Sequence, residues 1–176
     1  MRFVVPEVVV SQFHIREGDV VADFGAGSGF FVQVLSNAVG PQGRVYALEI
    51  QKMLVEKIGA MVLSLGLSNV DTKWCDLEAA QGSKLQSDEL DVATVVNTLY
   101  QAEDKSAFLT EVHRVLRVGG KLLVIDWTDI ETGLGPNAEH LITAADCTAL
   151  VESHGFVLDR DFEAGAHHYG LAFRKA

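Results

Sequence analysis

The feature that most constrains this chain is an alternation, five times over, of a short apolar run with a stretch of helical spacing. The runs are "DVVADF" (19–24), "GRVYALE" (43–49), "NVDTKWCD" (69–76), "LDVATVVN" (90–97) and "KLLVIDW" (121–127). Each reads as a strand, and "DVVADF" as one buried on both faces. Between them, Phe30, Phe31, Val34, Leu35, Ala38 and Val39 mark one helix face, stopped by Gly40-Pro41. Met53, Leu54, Ile58, Met61, Val62 and Leu65 mark a second, closed by Gly66. Asp104 reads as the N-cap of a helix with Phe108, Val112, Val115 and Leu116 inward, ended by Gly119-Gly120. Thr143 with Asp146 resembles a capping box opening a helix that ends near Gly155. The polar segment from Leu77 to Leu90 is poorly periodic and reads as a short helix at most.

Strands separated by helical crossovers pair in parallel, whereas a hairpin needs only a few residues. "FVLDRDF" and "HHYGLAFRK", joined by "EAGA", have room only for an antiparallel hairpin. The expected fold is therefore α/β. It is a single, mostly parallel, doubly wound sheet of about seven strands, the last antiparallel, with helices on both faces. The 176 residues suit one domain spanning 1–176.

Composition narrows the function. Apolar residues make up 48% of the chain and charged residues 22%, which supplies a real core. The net charge of −10 argues against a nucleic-acid substrate, and Arg114 with Arg117 is too thin for a basic patch. Cys75 and Cys147 have no CxxC spacing, so neither a metal site nor a disulfide is expected, and both read as small buried hydrophobes. "MRFVVPEVVV" is broken by Pro6 and Glu7 and fails as a signal peptide. No apolar stretch approaches the roughly 18 residues of a membrane span. A cytoplasmic protein is expected.

In sheets of this kind ligands bind outside the carboxyl ends of the strands, where strand order reverses. Those ends carry Asp23, Glu49, Asp76, Asn97, Asp126 and the final hairpin loop. The first is followed by Gly25, Gly27 and Gly29 within "VVADFGAGSGFF". Glycine inside regular structure costs about 0.5–1 kcal/mol against alanine, so three together indicate a tight turn or a ligand against bare backbone. Glu49, at the end of the second strand, suits a pair of ribose hydroxyls. Asp23 beside the loop would repel a pyrophosphate and welcome a cationic ligand.

On "VVADFGAGSGFF", "VYALE", "CDLE" and "VHRVLRVGGKLLVIDW" the chain resembles the class I S-adenosylmethionine-dependent methyltransferases, from about Pro6 to its end. The resemblance implies S-adenosyl-L-methionine as cofactor. It places Asp23 and the backbone from Gly25 through Ala26 to Gly27 at the methionine part, and Glu49 at the ribose. Asp76 with Leu77 would read the adenine, and Asn97 would border the methyl-transfer site. Phe24, Gly29 and Ile50 complete the implied cofactor-binding set.

Methyl transfer from a sulfonium needs chiefly in-line alignment and exclusion of water, and a general base only for an acceptor with a proton of high pKa. Three candidates stand for that base: His140 in the longest loop, His167 after the last hairpin turn, and Tyr100 in the loop after Asn97. Alternation sends His167 and His168 to opposite faces. Phe30 and Trp127 read as core residues, and His113 as surface. "NTLY" at the end of the fourth strand lacks the Asn-Pro-Pro-aromatic tetrad of amino-group methylation, and no magnesium-type acid cluster is present. The layout is similar to the small-molecule branch that includes quinone-pathway C-methyltransferases. A small-molecule acceptor leads; a protein acceptor, or a non-catalytic cofactor- or nucleotide-binding module, stays open, as does a homodimer.

Overall fold

The computed structural model of the protein describes residues 4–128 and 136–176. Helix α1 (Pro6–Ser11) leads into β1 (Val20–Phe24), α2 (Val32–Val39), β2 (Arg44–Glu49), α3 (Lys52–Leu65) and β3 (Val70–Trp74). Then come β4 (Leu90–Val96), α4 (Lys105–Val115), β5 (Leu116–Trp127), α5 (Ala144–Glu152), β6 (Phe156–Gly165) and β7 (His168–Lys175). The strands form one seven-stranded sheet in the order β3-β2-β1-β4-β5-β7-β6. β7 is antiparallel to both β5 and β6, and the other pairings are parallel. The chain winds outward from β1 to β3 and then returns to β4, so strand order reverses between β1 and β4.

Period-two alternation divides the sheet's side chains between two cores. Ala22, Phe24, Leu48, Leu122 and Val124 pack with Phe108, Leu109 and Val112 of α4 and with Cys147 and Val151 of α5. Val21, Val45, Ala47, Leu123 and Ile125 pack with Val9 and Val10 of α1, with Val32, Leu35 and Val39 of α2, and with Ile58 and Val62 of α3. Helices therefore cover both faces. No helix among the described residues is long and apolar enough to cross a membrane.

The expected caps form. Asp104 accepts a hydrogen bond from the Ala107 N–H, and Thr143 from the Asp146 N–H. Gly66 ends α3 in the left-handed region at φ 65°. Cys75 and Cys147 are buried and free.

Several elements differ from the sequence expectation. No helix forms between Leu77 and Leu90, where the chain makes a series of turns. α4 stops at Val115, and Leu116 is already extended and paired with Leu90. Gly119-Gly120 lies inside β5, at a register shift between Leu90 and Val92, and forms a bulge instead of a helix stop. β6 runs on to Gly165, which pairs with His168, so the hairpin turn is only Ala166-His167. Met53 and Leu65, at the ends of α3, are exposed and leave the inward face to Ile58 and Val62. His113 is half-buried, edge-on to Phe156 at 5.3 Å between ring centroids.

Candidate functional site

β1 delivers the chain to the reversal point at Phe24, and the glycine turn follows. The Gly25 and Ala26 N–H groups both donate to the Leu48 carbonyl at 2.9 Å, which pins the turn to β2. Gly25, Gly27 and Gly29 all hold positive φ, yet each is needed for a different reason. A Cβ on Gly25 would sit 2.4 Å from Thr98 Cγ2, in the loop after β4. A Cβ on Gly29 would sit 2.9 Å from Met61 Cε, between the turn and α3. At Gly27 the nearest protein atom is 4.0 Å away, and the residue lines an open cavity, so a side chain there would enter that cavity.

The cavity holds about 410 Å³ above the carboxyl ends of β1, β2 and β4. Its lining includes four carboxylates, Asp23, Glu49, Asp76 and Glu78, and no Lys, Arg or His among the described residues. Asp23 is only 3% exposed, and its Oδ1 accepts a 2.8 Å hydrogen bond from Thr94 Oγ1. Burial pushes its carboxyl up to about 6, with the nearby Glu49 charge adding to the rise. Glu49 is also buried; its Oε2 accepts the Gly27 N–H and its Oε1 the Gln51 N–H, each at 2.9 Å. One side chain thereby ties the glycine turn to the start of α3. Asp76 Oδ1 accepts the Glu78 N–H at 3.0 Å. Asn97 sits at φ 53°, and its buried Oδ1 has no hydrogen-bond partner among the described residues. Such a lining favours a ligand rich in donors and positive charge and opposes an anion.

Of the residues named from sequence, the cavity brings together Asp23, Gly25, Ala26, Gly27, Glu49, Ile50, Asp76, Leu77 and Asn97. It does not include Phe24 or Gly29. Phe24 points into the core, edge-on to Phe108, because alternation turns it away from the Asp23 side. Gly29 serves the packing of the turn on α3.

None of the three candidate bases lines the cavity. Tyr100 sits in a short 3-10 turn, Leu99–Gln101, and its N–H donates to Asp126 Oδ2 at 3.2 Å. Burial, then the Asp126 charge, raises its phenol further above the ordinary value. His140 is exposed, its Nε2 3.8 Å from Glu139 Oε1. His167 occupies the tight hairpin turn at φ 63°, with its carbonyl accepting the Thr128 N–H at 2.8 Å. The remainder of the loop before His140, residues 129–135, lies outside the described residues.

The cavity also uses residues that sequence reasoning passes over. Phe30, expected in the core, is 61% exposed at the rim, because it precedes the first turn of α2 and so escapes that helix's periodicity. Ser28, Leu54, Glu78, Thr98 and Gln101 join the lining. The glycine turn's own sequence points to Ser28; nothing local points to Gln101. Among the described residues no group of three or more His, Cys, Asp or Glu could hold a metal ion.

A doubly wound sheet with this strand order, a bare-backbone turn after β1 and acids at the first two strand ends define a class. It is the Rossmann-like, class I fold of the S-adenosylmethionine-dependent methyltransferases, whose cofactor is S-adenosyl-L-methionine. The chain belongs to the methyltransferase domain family, matched over residues 15–156. It is similar to a SAM-dependent methyltransferase from Aquifex aeolicus, with 29% identity and a TM-score of 0.91 over 99% of this chain and 91% of that one. A putative type 11 methyltransferase from Sulfolobus solfataricus shares the fold at 21% identity and TM-score 0.81, over 99% of this chain and 94% of that one. Among curated proteins, the ubiquinone/menaquinone biosynthesis C-methyltransferase of Marinomonas sp. (strain MWYL1) is 29% identical over 126 residues. That match takes in 71% of this chain and 49% of the relative, so the chain spans about half the length of the curated relatives it matches.

Proposed function

We propose that this chain binds S-adenosylmethionine in the cavity at the β1–β4 reversal and transfers its methyl group to a small-molecule acceptor. One observation carries the reading: among the described residues, four carboxylates and no cation surround a turn of bare glycine backbone. A dinucleotide would bring its pyrophosphate to that turn and be repelled. S-adenosylmethionine brings an ammonium and a sulfonium instead. When bound, it supplies a methyl group on a sulfonium, an electrophile with a good leaving group.

The residues divide the work. Asp23, ionised beside the ligand's cationic part, balances its charge. Each Glu49 oxygen accepts one backbone N–H and has a further lone pair for a ribose hydroxyl. Asp76 and the Leu77 backbone would meet the adenine edge, with Ile50 and Leu54 as apolar cover. Asn97 and Thr98, after β4, border the acceptor's side. The protein acts by aligning acceptor, methyl and sulfur and by excluding water, and no His is among the described residues that line the cavity. Tyr100, His140 and His167 remain candidates for a base if the acceptor's own loop contacts bring one in.

Two facts support a small-molecule acceptor. The rim is apolar at Phe30 and Ile50, 61% and 56% exposed, and the curated relatives are named C-methyltransferases of quinone biosynthesis. Carbon is therefore the first acceptor atom to test. Titration calorimetry is expected to show binding of S-adenosylmethionine and S-adenosylhomocysteine but not NAD; the reverse pattern overturns the cofactor assignment. A tritiated-methyl assay on a fractionated lysate is expected to label small molecules. Label confined to the protein fraction would move the acceptor to a protein.

A further inference from the structure

The opposite end of the sheet carries a second concavity of about 650 Å³, at the amino ends of β1 and β4 and the carboxyl end of β7. Five of the chain's 14 Lys and Arg residues line it, in a protein whose net charge is −10. Two of them are neutralised in place: Arg117 pairs with Asp91, and Arg174 with Asp159. Among the described residues, the other three are not paired with a carboxylate.

Those three come from separate segments. Lys121, on β5, donates through Nζ to the carbonyls of Phe13 and His14 at 3.0 and 3.2 Å. His14 holds a left-handed φ of 48°, and both of these consecutive carbonyls meet one ammonium. Arg160, on β6, donates to the Gln12 carbonyl and lies over the Phe13 and Phe162 rings, 5.8 and 5.9 Å from their centroids. Arg16, in the segment between α1 and β1, is exposed, and its guanidinium makes no hydrogen bond or ion pair among the described residues. Asp19 is the single acid left to offset them, and its Oδ2 accepts the Arg16 backbone N–H. Burial, followed by the Arg16 and Arg174 charges set against Asp19 and Asp159, lowers the Lys121 ammonium below its ordinary value.

We propose that this groove binds a small multivalent anion, a phosphate ester or a polycarboxylate, held by Arg16, Lys121 and Arg160. Fixed cations left without counter-charges in a concave site are what such a ligand satisfies, and the guanidinium groups suit phosphate or carboxylate by paired N–H donors. Two or more negative charges are required, because three cations face one acid. The site lies at the far end of the strands from the acidic cavity, so one molecule cannot occupy both.

The test is titration calorimetry on the full chain at low ionic strength, with inorganic pyrophosphate and, separately, citrate. At least one is expected to bind. Pyrophosphate alone would identify phosphate chemistry, citrate alone a polycarboxylate, and both a general multivalent-anion site. Arg16→Gln is expected to weaken binding about tenfold, roughly the value of one charge-assisted hydrogen bond, and Arg16→Glu to abolish it. The Arg16 guanidinium makes no hydrogen bond or ion pair among the described residues, and its backbone N–H can keep its bond to Asp19 in either variant, so both should fold, as circular dichroism would verify, and bind S-adenosylhomocysteine as the parent does. Failure of both anions to bind overturns the proposal, as does binding that survives Arg16→Glu unchanged.

Discussion

Asp23 holds its proton more tightly in the folded chain than an unfolded aspartate does, because burial penalises its charge. Asp126, at the end of β5, is in the same position, and both carboxyls are pushed up to about 6 from 3.8. A folded-state pKa above the unfolded one means the native state binds more protons between about pH 4 and 6. Stability from these two groups therefore falls as pH rises through that window and levels off above it. Urea midpoints measured from pH 4 to 7 should show this fall, and Asp126→Asn should flatten part of it. Ligand binding has the opposite slope: a cationic ligand favours ionised Asp23, so calorimetric affinity for S-adenosylmethionine should drop below about pH 6, and Asp23→Asn should remove most of that dependence. The glycines separate cleanly at this scale. Gly27→Val should abolish S-adenosylhomocysteine binding yet leave a folded protein, since its side chain meets only the cavity and its left-handed backbone adds a strain of about 1–2 kcal/mol. Gly25→Ala should instead lower the melting temperature, because its Cβ collides with Thr98. Strand-end acids and the glycine turn are legible in the sequence because both are local: a residue type at a fixed step from an apolar run. The orientation of a histidine in a long loop has no period to reveal it.

At the scale of elements, the turns between Asp76 and Leu90 show how a segment without periodicity is ordered. Glu111 of α4 accepts from the Ser83 N–H and hydroxyl, and Arg114 reaches from Glu111 to the Leu85 carbonyl. Glu78 accepts the Glu103 and Asp104 N–H groups at the start of the same helix. The segment is thus stitched to α4 at both ends of that helix. Burial acts to raise the Glu111 carboxyl, but hydrogen bonds from Arg114 and Ser83 outweigh it and leave the carboxyl below its ordinary value. Its contribution is present at neutral pH and lost as pH falls through that depressed value. Glu111→Ala should cost about 3 kcal/mol in urea unfolding, the low end for breaking a buried pair, because Arg114 is partly exposed. Periodicity and caps make α2 to α5 readable in the sequence. The Asp76–Leu90 turns are not, because their partners lie some twenty-five to thirty residues away. The early end of α4 has the same origin: Leu116 answers to its pairing with Leu90 and not to its apparent place on a helix face.

For the whole molecule, the reversal between β1 and β4 puts an acidic cavity at one end of the sheet, and the basic groove lies at the other. Saturating S-adenosylhomocysteine should raise the melting temperature in a concentration-dependent way, with about 2.7 kcal/mol of added stability at a hundredfold excess over Kd. The alternation of strand and helix makes the doubly wound sheet legible, and the few residues between the last two apolar runs make its antiparallel end legible, although "EAGA" itself lies mostly within β6. The sequence does not announce that β7 enters between β5 and β6, since strand order belongs to the assembled sheet. That order sets a timetable for synthesis. β6 leaves the ribosome before β7, yet among the described residues β7 is its only neighbour in the sheet. Until Tyr169 to Phe173 emerge, β6 has no ladder to join and the outer edge of β5 stands open beside a half-built core. This half of the protein must therefore close last, and a nascent chain stalled before His168 should be captured by holdase chaperones, whereas one in which Lys175 has cleared the ribosome should escape them.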